Sequence, residues 1–138
     1  MRVKVIVCTL CIFALLGCMT PYQQRKKQGI GQSVGGYTDT ALGEKTFRIN
    51  VSGSSGTHME RVRDIGIVRA AEITLSSGYD YFRILDSWEF SQVRAATGRV
   101  PPYYRSIIIR LTTDPDDIDA QWIIDTIGTK VGYKPGVE

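Results

Sequence analysis

Few side chains in this sequence are of the types that make or break bonds. There is one histidine, His58, and there are three cysteines, Cys8, Cys11 and Cys18, all within the first 18 residues. Beyond them the chain has no thiol nucleophile, no disulfide and no cysteine-based metal site, and one histidine alone cannot build an ordinary zinc centre. As a general base His58 would need an oriented nucleophile, and no Gly-x-Ser-x-Gly or comparable signature is present. It stands in the first turn of an expected helix and reads as structural or exposed. Glu72 sits among apolar positions of the same helix, where a carboxylate is usually paired; Arg61, Arg69 or a strand arginine are the candidates. The acidic run Asp114, Asp116, Asp117, Asp119 lacks the glycine and distal glutamate of an EF-hand loop, and helix capping accounts for it. Gly53-Ser-Ser-Gly56 lacks the lysine of a phosphate loop and is turn chemistry. No metal and no cofactor is expected.

Aromatic residues supply the one positive signal. Tyr79, Tyr81, Trp88, Tyr103 and Tyr104 are too many for the core of so small a domain. Of these, Tyr81, Trp88, Tyr103 and Tyr104 form a candidate interaction surface with Ile118 and Trp122, against the alternative that the aromatics pack under the 91–102 loop and between sheet and helix. The overall balance restricts the partner class. Of 17 basic side chains, Arg2 and Lys4 fall in a segment expected to be removed, which leaves 15 against 14 acidic. Nucleic-acid binding would show a basic face and a stronger excess.

The N-terminus carries the address. Met1-Arg-Val-Lys4 is positively charged, and Val5–Leu16 is apolar apart from Thr9 and two cysteines. A dozen helical residues span about 18 Å, too short for a hydrocarbon core of about 30 Å, so the run suits a secretory signal better than a membrane span. Leu15-Leu16-Gly17-Cys18 resembles the bacterial lipoprotein box, with Leu16 a departure from the more usual Ala, Ser or Thr. The resemblance implies cleavage between Gly17 and Cys18, acylation of Cys18, and anchorage strong enough to be stable. Met19 in place of Asp implies the outer membrane, facing the periplasm, ahead of the inner membrane or the cell surface.

Thr20–Gly36 is polar, glycine-rich and without apolar period, and reads as a flexible tether of at most ~60 Å. Tyr37–Leu42 and Thr46–Ser52 read as a hairpin, with Phe47, Ile49 and Val51 facing the core. Thr57 to Glu60 matches a capping box opening a helix that ends at Gly78, the expected left-handed stop. Tyr79–Phe90 follows as a strand, and the strand–helix–strand order implies a right-handed crossover with this strand parallel to Thr46–Ser52. Tyr103–Thr112 is the clearest strand, with Ile107, Ile109 and Leu111 inward, antiparallel to the one before it. Asp114 as N-cap and Pro115 at N1 open a second helix ending at Gly128, with Ile118 and Trp122 on its far side. Residues 129–138 carry no signal for order.

The run from Gly35 to Leu85 resembles a family of small Gram-negative lipoproteins of uncharacterised function. The matching elements are Gly36-Tyr37, Phe47-Arg48-Ile49, Thr57 to Val62, Arg69-Ala-Ala-Glu72 and Gly78-Tyr-Asp-Tyr-Phe82. The family brings no catalytic residues; it implies the lipoprotein address. The expectation is therefore an α+β, two-layer ββαββα sandwich with a mixed sheet and two helices. It comprises a signal peptide (1–17), a lipidated tether (18–36), one periplasmic domain (37–128) and a disordered tail (129–138). The expected role is non-enzymatic, structural or partner-binding within the cell envelope, toward an envelope protein or peptidoglycan, with the membrane reached through the lipid and no nucleic acid. The alternative is a small envelope hydrolase or ligand-processing enzyme using Glu72 and His58, which requires Glu72 in an open cleft with no arginine in reach.

Overall fold

A computed structural model describes residues 20–25, 35–54, 56–91 and 103–136. The elements are β1 (Gly36–Gly43), β2 (Thr46–Ser52), helix α1 (Met59–Ser76), β3 (Tyr81–Ser91), β4 (Tyr103–Thr112) and β5 (Ile118–Asp119). A final helical run comprises α2 (Ala120–Ile123), a π-helical turn (Ile124–Gly128) and α3 (Thr129–Val131). The protein is α+β, with one five-stranded sheet in the order β1-β2-β4-β3-β5.

Every pairing between these strands is antiparallel, so the expected mixed sheet is not formed. β2 and β3 do run in the same direction, each being antiparallel to β4, but β4 lies between them. The reason is in β4 itself. Its inward Ile107, Ile109 and Leu111 are fully buried, and the strand with the most apolar surface to cover takes the position flanked on both sides. The crossover from β2 through α1 to β3 leaves a gap one strand wide, which β4 fills.

The core forms where α1 lies on the sheet. Val62, Ile65, Val68 and Ala71 of the helix meet Ile49, Val51, Phe82, Ile107 and Ile109 of the strands, all buried. The helix lies close to the sheet at Gly66, where an added methyl carbon would stand 3.4 Å from Val51 Cγ2 and 3.9 Å from Ile107 Cδ1. α1 ends as its sequence predicts. Gly78 takes a φ of +79°, Tyr79 N–H bonds to the Thr74 carbonyl at 3.1 Å and Gly78 N–H to that of Leu75 at 3.0 Å, the two bonds of a Schellman stop.

Three sequence expectations are corrected. The start of α1 is no capping box: the helix begins at Met59, after an exposed His58, the Thr57 hydroxyl bonds to the hydroxyls of Thr20 and Ser54 (3.0 Å to Ser54), and Glu60 pairs with Lys130 at 2.9 Å. Thr57 has exchanged a local partner for a tertiary one. Asp114 caps a turn rather than a helix. Its Oδ1 accepts from Asp116 N–H at 3.0 Å, Ile118 joins the sheet opposite Phe82, and Asp119 becomes the N-cap by accepting from Trp122 N–H at 2.9 Å. The chain also does not end its order at Gly128. The helix continues to Val131, which is 1% exposed, and stops at Gly132 with φ +77°.

The largest correction concerns the tether. Residues 20–25, read as flexible linker, pack against the domain as an extended segment. Thr20 is 1% exposed, and its carbonyl accepts from Arg61 Nε at 3.1 Å. Tyr37 N–H bonds to the Gln23 carbonyl at 3.0 Å and Arg25 N–H to the Tyr37 carbonyl at 2.7 Å, a parallel bridge along the β1 edge. The remainder of the expected tether, 26–34, and the 92–102 loop lie outside the described residues, as do Cys18 and the signal segment.

Candidate functional site

A cluster that gathers several ionisable groups partly away from solvent lies on the flank of α1 around Glu72. Arg69 Nη1 donates to Glu72 Oε2 at 2.5 Å, and Arg69 Nε to Asp39 Oδ1 at 3.0 Å. Tyr22 donates its hydroxyl to the same Glu72 oxygen at 2.5 Å. The guanidinium lies over the Tyr37 ring, 4.8 Å from its centroid, while Tyr22 packs against the rings of Tyr37 and Tyr133. Burial, then the hydrogen bond to the Glu72 carboxylate, pushes the Tyr22 hydroxyl far above its ordinary range, so it stays a donor. Arginine was the partner expected of Glu72, and Arg69 supplies it. The open, arginine-free cleft that an acid–base role for Glu72 requires is not what surrounds it. This network ties the N-terminal segment, β1 and α1 together.

Of the other titratable candidates, Asp117 is committed in the same way, while His58 is exposed. Arg83 Nε donates to Asp117 Oδ1 at 2.6 Å, and Thr112 Oγ1 to Asp117 Oδ2 at 2.7 Å. The Arg83 bond, then the Thr112 bond, holds the Asp117 carboxyl below its usual range. Among the described residues no three His, Cys, Asp or Glu side chains converge on a metal position.

The sheet face turned away from α1 is different. Register places its residues in rows across the strands. Ser52, Tyr104 and Phe90 form one row; Thr38, Asn50, Ser106 and Trp88 the next; then Thr40, Arg48, Ile108 and Asp86; then Thr46, Arg110 and Arg83. At one end three aromatic rings stack, with Trp88 and Phe90 centroids 5.1 Å apart and Phe90 and Tyr104 4.9 Å apart, nearly parallel in both cases. Such offset stacks fix the rings in place. Yet Trp88 is 52% and Phe90 40% exposed, an apolar surface left open where solvation penalises it.

Beside the stack is a hollow of about 150 Å³ lined by Arg25, Thr38, Asn50, Trp88, Tyr104 and Ser106. The Ser106 Oγ is buried there with no hydrogen-bond partner among the described residues. At the other end of the face a wider hollow of about 320 Å³ is lined by Lys45, Tyr79, Arg83, Leu85, Arg110 and Asp117 among others. No helix residue lines either hollow. Arg83 and Arg110 stand directly opposite each other, a like-charge pairing that is unfavourable unless something neutralises it. Asp117 and Asp114 do so for Arg83.

The six aromatic and apolar residues expected to share one surface are thus divided. Trp88 and Tyr104 stand together on the open face. Tyr103 and Ile118 pack against the core. Tyr81 lies at the other end of β3, opposite Thr112 and Asp119. Trp122, 59% exposed, is on α2 and belongs to no part of this face. Phe90 was missed; its signal is the Trp88-x-Phe90 spacing, which puts both rings on one side of a strand.

No family model matches this chain, and neither a curated protein nor a solved structure does. The geometry is therefore the sole guide. It offers a stacked aromatic row, arginines with no ion-pair partner among the described residues and an orphaned hydroxyl on an open sheet.

Proposed function

We propose that this chain is a non-enzymatic lipoprotein of the bacterial envelope, anchored through Cys18 in the outer membrane and facing the periplasm. Its domain is a two-layer ββαββα sandwich, to which β5 adds a short edge strand, and its sheet face away from α1 binds an envelope component. The observation that carries this reading is the exposed Trp88–Phe90–Tyr104 stack. It leaves uncovered the kind of apolar area that marks an interaction surface, while Glu72, the carboxylate an enzymatic reading would need, is held by Arg69 and Tyr22. The apolar run with Leu15-Leu16-Gly17-Cys18 at its end supports the address.

Two measurements test it. Cells fed an alkynyl fatty acid are expected to label the protein, and the Cys18→Ala variant to lose that label. A photo-reactive residue introduced at position 104 is expected to form adducts in cells, whereas one at Asp125, on the helical run, forms none. Equal labelling of wild type and variant, or adducts only from position 125, would overturn the reading.

A further inference from the structure

The anchor and the domain are nearly in contact. On the reading of Cys18 as the lipid-bearing residue, a single residue, Met19, separates it from Thr20, which is buried in the domain. Two Cα steps span at most about 7.6 Å. The headgroup layer on each side of a bilayer is itself about 5–8 Å deep. Thr20, and whatever surrounds it, must then rest within or directly against that layer.

Around Thr20 lie the start of α1, through Thr57 and Arg61, and one end of the sheet. Ser54 N–H donates to Thr20 Oγ1 at 3.0 Å. Two residues before Ser54, Ser52 pairs with Tyr104, and Tyr104 with Phe90. Gly53 N–H bonds to the Tyr103 carbonyl at 2.8 Å. At about 4.8 Å per strand, the aromatic stack begins one strand width from Ser52 and ends two away. The segment that leaves Thr20 reaches the same place: Arg25 lines the hollow beside Trp88, Phe90 and Tyr104.

We infer that the open sheet face docks on the bilayer in which the protein is anchored, with Trp88, Phe90 and Tyr104 in the interfacial layer and arginines against anionic phospholipid headgroups. Amphipathic rings settle at the membrane–water boundary, and each basic residue close to an anionic surface contributes about 1 kcal/mol. The charge on the face is complementary to such a surface. Arg25, Arg48 and Arg110 have no ion-pair partner among the described residues, Asp86 is the one acid in their rows, and Arg83 is neutralised by Asp114 and Asp117. The inference deepens the proposed function by naming the component that this face holds, and it rests on the lipoprotein reading.

The two tryptophans make the test, because Trp88 lies on the docking face and Trp122 does not, and both are exposed. The full lipidated protein, its acylation verified by mass, is reconstituted in vesicles of phosphatidylethanolamine and phosphatidylglycerol with brominated acyl chains. In Trp122→Phe, the emission of Trp88 is expected to fall by roughly half and shift to the blue, as for a ring at the interface. In Trp88→Phe, the emission of Trp122 should stay within a tenth or so of its value in unbrominated vesicles, as for a ring held in water. Equal quenching of both, quenching of neither, or a Trp88 signal that changes only when an envelope protein or glycan fraction is added would overturn the docking while leaving the anchor intact. Absence of acyl mass on Cys18 would instead remove the anchor, and both readings with it.

Discussion

Tyr22 donates its hydroxyl to the Glu72 carboxylate across 2.5 Å and fifty positions of sequence. The bond joins a segment that reads as linker to the C-terminal part of the helix that lies on the sheet. Because Glu72 also takes a hydrogen bond from Arg69, Tyr22→Phe leaves the carboxylate charged and compensated while removing one donor. The expected cost is about 1.5–3 kcal/mol, the range of a hydrogen bond to a charged group. A lower urea midpoint with an unchanged slope would check it. A midpoint equal to that of the wild type would mean that the segment is not docked.

Gly78 stops α1 in the left-handed region, at φ +79°, with nothing within 4 Å of a Cβ built there. Space is therefore no obstacle to Gly78→Ala, and only backbone strain opposes it. The expected loss is about 1–2 kcal/mol, which for a domain of this size lowers the melting temperature by about 4–8 °C per kcal/mol. Gly43→Ala, whose Cβ also meets nothing but whose φ is not in that region, is the control and should change the melting temperature little.

Val131 tests the order of the C-terminal residues. Its side chain is buried, and Arg61 binds both the Lys130 carbonyl and, at 3.0 Å, that of Val131 while holding Thr20 with its Nε. Arg61 thus joins the segment at Thr20 to the last helical run. Val131→Ala is expected to cost about 2 kcal/mol, since nearly the whole side chain is out of water. A melting curve coincident with the wild type would return residues 129–136 to the status of a tail.

The fold class was legible because its signals are local and repeated. The alternation Ile107, Ile109, Leu111 marks β4, and the stop at Gly78 needs only its own backbone. What failed depends on partners distant in sequence. Nothing near Thr57 announces that its hydroxyl will turn to Thr20 rather than to its own helix. Asp114 and Asp119 offer the same capping chemistry, and the choice between them is made by Ile118, which gains more beside Phe82 in the sheet than on a helix face. Strand order was hidden because a crossover fixes the relative direction of β2 and β3 but leaves open whether a later strand enters between them. On the candidate face, aromatic content pointed to Trp88 and Tyr104, while Tyr103 and Trp122 have the same composition and different neighbours. Only register separates these.

Glu89 gives the pH dependence. Arg63 grips it through two bonds, Nε to Oε1 at 2.8 Å and Nη2 to Oε2 at 2.6 Å. The hydrogen bond from Arg63 holds the Glu89 carboxyl below its usual range despite a smaller opposing effect of burial. A depressed folded value means that the pair's contribution is complete above the unfolded pKa of about 4.3 and is lost as the pH falls through the folded value. Glu89→Gln should therefore be less stable than wild type at pH 7, and the difference should shrink as acid is added below that point. Melting temperatures of the two proteins across the acid range check this; a gap that stays constant would assign the loss to packing instead.

Ser106 is the last test, and it bears on the open face. Its Oγ is closed off in the row between Asn50 and Trp88 without a hydrogen-bond partner among the described residues. A buried hydroxyl left unpaired is penalised by the desolvation of that group, about 1–3 kcal/mol, whereas a methyl group in its place carries no such penalty. Ser106→Ala is accordingly expected to raise the unfolding free energy by about 1 kcal/mol, an unusual direction for a substitution at the centre of a sheet. Quenching of Trp88 by brominated vesicles should be unchanged in this variant, because the bilayer is held by the rings above and by the arginines, not by the hydroxyl beneath them. A destabilised Ser106→Ala would show that the hydroxyl does have a partner in solution. If quenching of Trp88 fell at the same time, the hydroxyl would belong to the docking surface.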